Sequence, residues 1–154
     1  MLAKRIVEVM VFSIIPVVEL RWAIPYGIAK LGLHPVVALA SAVIASWAVI
    51  VPMFLIMDLF YATLLSRFAP IRRVVEEIRT GGRRYVERWG VLGVGIYVSL
   101  PLPGPGIYSG AVLAWLFGLP RRQAIIALAL GVLVSAVLVT MISTGVIAII
   151  RKFV

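Results

Sequence analysis

Two long apolar stretches constrain the fold of this chain more than any other feature of its sequence. Residues 35–65 contain one charged residue, Asp58, and residues 123–150 contain none. A helix needs about 20 apolar residues to cross the ~30 Å hydrocarbon core of a bilayer, and both stretches exceed that length. The chain is 63% hydrophobic and 14% charged, whereas soluble domains are about 45–50% apolar and about 25% charged. We therefore predict an all-α integral membrane protein with a single membrane domain, residues 1–154.

Two further apolar stretches are interrupted by helix breakers. Residues 6–33 contain two prolines, and residues 91–119 contain three prolines and two glycines between positions 101 and 106. Two geometries fit the first stretch. One continuous helix would reach ~42 Å, whereas a re-entrant hairpin with arms 6–18 and 22–33 would reach ~18–20 Å per arm. We predict a hairpin at both places, because irregular backbone at membrane depth is tolerated where protein or a wet cavity surrounds it.

The two halves of the chain resemble each other in sequence. Residues 38–46 and 127–135 share the pattern Ala-Leu-Ala-x-x-Val-x-x-Ser at an offset of 89, and Leu31-Gly32-Leu33 resembles Phe117-Gly118-Leu119. Chance recurrence of common residues in apolar helices is the alternative explanation. The repeated unit is a broken hairpin followed by a transmembrane helix, and two units that each re-enter must be inverted relative to one another. Such inverted repeats are typical of secondary transporters.

Positive charge is concentrated in the segment 66–90, between the two halves. The formal net charge is +9, and seven of the 15 basic residues lie in this segment. They are Arg67, Arg72, Arg73, Arg79, Arg83, Arg84 and Arg88. Loops rich in Lys and Arg stay on the cytoplasmic side and attract anionic lipids. We therefore predict a cytoplasmic loop whose arginines bind lipid headgroups and orient a multi-pass protein in the plasma membrane.

The first interruption carries the charges best placed for chemistry, Glu19 and Arg21. A carboxylate at mid-membrane depth is a candidate for proton coupling and substrate binding, which makes Glu19 our main candidate. Arg21 presents a planar fork of donors that suits a phosphate or a carboxylate. The alternative is a structural ion pair between the two, although residues two apart on a helix face different directions. We expect Pro25 and Gly27 to shape the turn of this hairpin.

The second interruption has no charge but many backbone donors. Consecutive amides around glycines form anion-binding concavities, so we predict that this loop contacts the substrate. The candidate residues are Pro101, Pro103, Gly104, Gly106, Tyr108, Ser109 and Gly110, with Pro105 shaping the hairpin. A tight hairpin tip without a ligand is the alternative. Asp58 is either a second proton-coupling residue or the partner of an arginine in the 66–90 loop.

Both interruptions resemble motifs of the small multi-drug export protein family. The first motif is Glu-x-Arg-x-x-x-Pro, formed here by Glu19, Arg21 and Pro25. The second is Pro-x-Pro-Gly-x-Gly-x-x-Ser-Gly, which residues 101–110 match. The chain length and the order of elements agree as well, so the resemblance covers nearly the whole sequence.

Through this family the chain also resembles, more distantly, the DedA superfamily. Its members have two facing re-entrant hairpins, each followed by a span, and several are proton-linked lipid transporters or scramblases. The resemblance implies proton-coupled transport of an amphiphilic or lipid-linked anion, such as a polyprenyl phosphate or a phospholipid. Residues 89–120 contain no charge, so contact with a phosphate falls to Arg21 and the amides of residues 104–110. The alternatives are an exporter of cationic drugs with Glu19 as shared proton and drug site, and a membrane scaffold without transport.

The residue combinations of common enzyme sites are missing from the sequence. It has no cysteine and one histidine, and it shows neither a nucleophile–base pair nor metal-ligand spacing. We therefore expect no enzyme activity, no cofactor and no metal site. The expected partners are protons, membrane lipids, a small amphiphilic or lipid-phosphate substrate and, in a homodimer, a second copy of the chain. We do not expect nucleic acid to bind so hydrophobic a protein.

Overall fold

The computed structural model describes residues 2–16, 18–63, 67–85, 89–101 and 106–153, and the regular structure in these ranges is helical. The described part contains seven α-helices: α1 (Leu2–Ile14), α2 (Glu19–Ala29), α3 (Pro35–Thr63), α4 (Ala69–Tyr85), α5 (Val91–Ser99), α6 (Ile107–Leu116) and α7 (Arg121–Phe153). The prediction of an all-α protein is confirmed.

Among the described helices, two are long and apolar enough to cross a membrane. They are α3, with 29 residues, and the first 29 residues of α7, Arg121–Ile149. The helices α1, α2, α5 and α6 have 13, 11, 9 and 10 residues. At 1.5 Å per residue they reach only ~14–20 Å, about half to two thirds of the hydrocarbon core. The helix lengths thus separate two helices that are long enough to span a membrane from two pairs that are too short.

The helices α1 and α2 form an antiparallel hairpin closed by Tyr26. The Tyr26 hydroxyl donates to Glu8 Oε1 at 2.5 Å, and its ring stacks on that of Phe12 with 4.9 Å between centroids. A Cβ atom at Gly27 would come within 2.8 Å of a Val9 methyl group. Gly27 therefore allows the two helices to approach closely, and it does so from within α2 rather than from the turn.

The turn of this hairpin comes earlier than predicted. We expected arms 6–18 and 22–33, but α1 ends at Ile14 and α2 begins at Glu19. A residue that precedes a proline avoids helical backbone angles, so Pro16 accounts for the early end of α1. The charged residues of the first interruption consequently lie at the start of a helix and not in a loop.

Pro25 belongs to α2 and not to the turn, contrary to the prediction. Proline lacks the N–H that would bond to the carbonyl four residues earlier, and its ring crowds that carbonyl. The carbonyl concerned is that of Arg21. Pro25 therefore weakens the helix in the turn that carries this arginine.

The second hairpin, formed by α5 and α6, packs against α7 through glycines. A Cβ atom at Gly110 would collide with a Val98 methyl group and come within 2.9 Å of Leu128. Gly110 therefore lets α6 approach both α5 and α7. The turn of this hairpin, including Pro103, Gly104 and Pro105, lies outside the described residues.

The two hairpins end in the same local structure. Gly32 follows α2 with a φ of 62°, and Gly118 follows α6 with a φ of 65°. These left-handed angles suit glycine, which has no Cβ to clash. The residue after each glycine is a buried leucine whose N–H donates back to its hairpin helix at 3.0 Å, Leu33 to Gly27 and Leu119 to Ala114. A long helix begins two residues after each leucine.

The long helices α3 and α7 run antiparallel and form the centre of the protein. Trp47 Nε1 of α3 donates to the Ala129 carbonyl of α7 at 3.1 Å, and Asp58, near the end of α3, forms an ion pair with Arg121 at the start of α7. α1 packs on α3 and α5 packs on α7, whereas α2 and α6 each contact both long helices. Each hairpin thus crosses onto the long helix of the other half.

Replacing Gly131 with alanine should destabilise the contact between α5 and α7. A Cβ atom there would lie 2.7 Å from the Gly95 carbonyl oxygen and 3.1 Å from Val98 Cβ, and neither atom belongs to a flexible side-chain end. Overpacking of this kind costs about 1–3 kcal/mol of unfolding free energy. Thermal unfolding in detergent checks the expectation. Gly145 in the same helix has no atom within 4 Å of such a Cβ, so equal effects of Gly131→Ala and Gly145→Ala would contradict this packing.

The polar segment between the halves forms α4, which continues to Tyr85. Arg67, Arg72 and Arg73 are exposed, and Arg72 forms a long ion pair of 3.9 Å with Glu76. The side chains of Arg79, Arg83 and Arg84, and the whole of Arg88, lie outside the described residues. Binding of lipid headgroups by these arginines therefore stays a prediction.

Candidate functional site

The tips of the two hairpins, where α1 ends and α2 begins and where α5 ends and α6 begins, meet between the long helices. The Tyr108 hydroxyl of α6 donates to the Ile14 carbonyl at the end of α1. Arg21 Nη2 of α2 donates to the Leu100 carbonyl just after α5, at 2.8 Å. The two interruptions of the sequence, far apart along the chain, therefore form one junction.

Glu19 and Arg21 form an ion pair at this junction. Arg21 Nη1 lies 2.5 Å from Glu19 Oε2, and each side chain is only 11% exposed. The pairing is possible because Glu19 has a φ of 47°, in the left-handed region that residues other than glycine rarely adopt. A regular helix would direct these two side chains apart. The strained backbone at Glu19 thus brings the two charges together.

The Glu19 carboxylate lies on the N-terminus of α6. It lies beside the backbone N–H groups of Ile107 and Tyr108. Gly106 lies directly beneath it, and a Cβ atom at this position would collide with both carboxylate oxygens. The first N–H groups of a helix have no partner within the helix, and the N-terminus carries a partial positive charge. In this structure the Glu19 carboxylate lies at the amides that were predicted to contact an anionic substrate, and contact with a substrate stays a prediction.

Arg21 contacts the other helix of the second hairpin, α5, at its C-terminal end. Besides Leu100, its Nη2 approaches the Val98 carbonyl at 3.4 Å, and both carbonyls belong to the C-terminal end of α5. That end of a helix carries a partial negative charge, which favours a cation. The ion pair therefore places a negative charge on the start of α6 and a positive charge on the end of α5, joining the first hairpin to the second.

Residues 19–138 match the family described as Putative small multi-drug export protein. The match covers most of the chain and includes both interruptions. The chain belongs to this family. Neither the comparison with curated proteins nor the comparison with solved structures found a match. The long apolar helices and the family agree with a membrane protein, as the sequence predicts.

The remaining candidates in this export-family protein lie at different distances from the ion pair. Pro101 lines a cavity beside Arg21, and Ser109 Oγ accepts from the Gly106 N–H at 2.9 Å in the first turn of α6. Gly110 lies within α6 and packs against Val98, so its contacts are those of a structural residue. Pro103, Gly104 and Pro105 lie outside the described residues.

Asp58 lies in a second polar cluster at the far end of α6. It pairs with Arg121, accepts from Trp115 Nε1 at 2.8 Å, and lies in the same cluster as the Tyr61 ring, which meets the Trp115 ring edge-on. Among the described residues its charged partner is therefore the first residue of α7, whereas the expected partner was an arginine of the 66–90 loop. Trp115 follows Ile107 by eight residues, or ~12 Å of helix, so this cluster is separate from Glu19. A proton-coupling role for Asp58 stays a prediction.

Sequence reasoning found the charged pair but missed what surrounds it. The contacts of Glu19 with α6 join residues almost 90 positions apart, and no sequence periodicity predicts such a contact. One signal was available: the second interruption offers helix-end amides but no charge, while the first offers two charges. Within the described residues, no three of the His, Cys, Asp and Glu side chains are grouped so as to hold a metal ion.

Proposed function

We propose that this protein is a proton-coupled secondary transporter of an amphiphilic or lipid-linked anion, with the Glu19–Arg21 pair as its central site. The observation that supports the proposal is that a carboxylate of the chain itself, Glu19, occupies a site suited to an anion. That site combines a guanidinium with the N-terminus of α6, two groups that bind phosphates and carboxylates in many proteins. It lies where broken helices meet between the long helices, as substrate sites do in transporters built from inverted repeats.

The architecture we propose is a pair of inverted repeats, each a re-entrant hairpin followed by a transmembrane helix. Three features support it. The hairpin helices are too short to span, the two hairpins end in matching glycine turns, and α3 and α7 run antiparallel. By the positive-inside rule, the charge of α4 and its flanks favours the cytoplasmic side of the plasma membrane for the ends of α3 and α6. The likeness to the DedA superfamily favours the same arrangement.

Proton uptake by Glu19 would exchange one anion for another. While Glu19 is ionised, it fills the site and neutralises Arg21. Once protonated, it leaves Arg21 and the amides of α6 without a negative partner in a region where an uncompensated charge is costly. An anionic group of the substrate then takes its place, and loss of the proton restores Glu19 and expels the substrate. Proton and anion therefore move together. Asp58, held by Arg121 and Trp115, has no step in this exchange.

A second candidate is an exporter of cationic drugs, which the description of the family favours. In that version a cation would replace Arg21 as the partner of Glu19, and the proton and the drug would compete for the carboxylate. The two versions predict pH changes of opposite sign inside the liposomes. An anion moves in the same direction as the proton, whereas a cation moves in the opposite direction. A pH-sensitive dye inside proteoliposomes distinguishes them when dodecyl phosphate or tetraphenylphosphonium is added outside.

Glu19→Gln should abolish proton movement with either compound while the protein remains folded. Glutamine keeps the shape of the side chain but carries no exchangeable charge, so neither cycle can run. Glu8→Gln is the matched control, since Glu8 belongs to the same hairpin and glutamine still accepts from Tyr26. Proton-coupled transport at the normal rate in Glu19→Gln would remove Glu19 from the mechanism and overturn the proposal.

A further inference from the structure

The polar cluster at the far end of α6 joins three helix ends through contacts that are easily broken. Asp58 of α3 forms an ion pair with Arg121, the first residue of α7, and accepts from Trp115 Nε1 of α6 at 2.8 Å. The side chains of Arg121 and Asp58 are 53% and 40% exposed. Exposed ion pairs contribute little to stability, because water competes for both charges. The cluster therefore positions the three helix ends without contributing much to the stability of the fold.

The corresponding place in the other half of the chain contains a cavity. The long helices match at an offset of 89, so Ile147 of α7 corresponds to Asp58 of α3. Arg121 begins α7, and its counterpart Pro35 begins α3. Both Ile147 and Pro35 line a cavity of about 510 Å³ between the ends of α2 and α7 and the start of α3. One half thus has an ion pair where the other half has a cavity.

The third member of the cluster also has an apolar counterpart. The hairpin ends match at an offset of 86, so Trp115 corresponds to Ala29, the last residue of α2. An indole that donates a hydrogen bond is therefore replaced by a methyl group. None of the three counterparts, Ala29, Pro35 and Ile147, has a polar atom in its side chain. The two ends of the molecule consequently differ in the residues that could join their helices.

A proline within α3 allows the helix end that carries Asp58 to move. Pro52 lies six residues before Asp58, and it removes the helical hydrogen bond to the Ala48 carbonyl. Helices bend most readily at such positions. Before the proline, Trp47 attaches α3 to the Ala129 carbonyl of α7 at 3.1 Å, and after it the polar cluster does so. Breaking the cluster therefore releases the last turns of α3 while the centre of the helix stays in place.

We propose that Asp58, Trp115 and Arg121 form a latch, whose release opens the end of the molecule next to α4 and closes the cavity at the opposite end. The inference rests on the proposed function, because it requires the two halves to be inverted repeats. In such transporters one repeat moves against the other around a fixed site. Two halves that differ at equivalent places correspond to one state of that movement. The latch stabilises this state, and its release favours the state in which the two ends have exchanged their conformations.

Two distances measured on the full chain in lipid nanodiscs test the latch. The chain has no cysteine, so pairs of introduced cysteines can carry spin labels without further changes. One pair, Thr63 and Arg122, spans the latched end, and the other, His34 and Ile149, spans the cavity end. All four residues are exposed. Pulsed electron–electron double resonance gives a distance distribution for each pair.

Asp58→Asn should lengthen the distance at the latched end and shorten the distance at the cavity end, each by several ångströms. Asparagine removes the ion pair with Arg121 but still accepts from Trp115. Arg121→Gln breaks the same ion pair from its more exposed side, so it should give the same two shifts. It also decides the question if Asp58→Asn fails to fold. Arg121→Lys keeps the positive charge and should give neither shift.

Glu76→Gln is the matched control for these variants. It removes another exposed ion pair, the one with Arg72 in α4, and should leave both distances unchanged. Unchanged distances in Asp58→Asn and Arg121→Gln would show that the cluster is a static clamp. A longer distance at the latched end without a shorter one at the cavity end would show local fraying of α3. Either result would overturn the inference.

The distance measurements require neither a substrate nor a proton gradient, so they separate the latch from the proposed function. Coupled shifts at the two ends without proton-coupled flux in the dye assay support the latch and contradict the transporter. Proton-coupled flux in the unchanged chain, with no shift in either latch variant, supports the transporter and contradicts the latch.

Discussion

Arg21→Gln is expected to lower the free energy of unfolding by about 3–5 kcal/mol, the usual cost of removing one partner of a buried ion pair. The variant leaves the Glu19 carboxylate enclosed with only the amides of α6 as partners. It also removes the guanidinium from the carbonyls of Val98 and Leu100 at the end of α5. Unfolding titrations in mixed detergent micelles measure the loss against the unchanged chain.

The double variant Glu19→Gln/Arg21→Gln distinguishes a functional pair from a structural one. With both charges removed, most of the lost stability should return, because no uncompensated charge remains buried. Proton-coupled transport should not return. A double variant as unstable as Arg21→Gln alone would show that charge compensation is not what the pair contributes. A stable double variant that transports normally would establish the structural alternative considered from the sequence.

Gly106→Ala should disable the site while leaving both charges in place. The new methyl group would overlap the Glu19 carboxylate, so the carboxylate must leave the N–H groups of Ile107 and Tyr108. We expect a loss of about 1–3 kcal/mol of unfolding free energy from overpacking, together with loss of proton-coupled transport. Unfolding titrations and the dye assay in proteoliposomes read the two effects.

Gly93→Ala is the matched control for this substitution. Gly93 lies in α5 of the same hairpin and has no atom within 4 Å of an added Cβ. Alanine in the interior of a helix is favoured over glycine by roughly 0.5–1 kcal/mol, so this variant should be unchanged or slightly more stable. If Gly106→Ala behaved like Gly93→Ala in both assays, the carboxylate would not depend on the N-terminus of α6.

The secondary structure of this chain follows largely from its apolar stretches and prolines. The two long helices lie where apolar stretches of sufficient length predict them, and the glycine turns at Gly32 and Gly118 lie where the two halves match. The predicted turn of the first hairpin lies a few residues too late in the sequence. We predicted the turn at the charged residues Glu19 and Arg21. The helix ends earlier because Pro16 disfavours helical backbone angles at the residue before it.

The site was only partly predictable because its contacts are long-range. Sequence reasoning selected Glu19, Arg21 and the amides near Gly106, and it left open whether the two charges pair. The left-handed backbone at Glu19, which makes the pair possible, is not encoded by a glycine or a turn motif. The prediction of an anion at the second interruption was made for a substrate, and the packing of the hairpins shows that a residue of the chain occupies that place first.

The most direct test of the account is the sidedness of four exposed positions in intact cells. Single cysteines at Ala3, His34, Thr80 and Pro120, introduced into a chain without natural cysteine, can be labelled by an impermeant reagent. Two inverted re-entrant hairpins place residues 3 and 34 outside the cell and residues 80 and 120 in the cytoplasm. If residues 3 and 80 shared one side, with 34 and 120 on the other, all four apolar stretches would cross the membrane. The junction of two hairpin tips around Glu19 and Arg21 would then not exist as described.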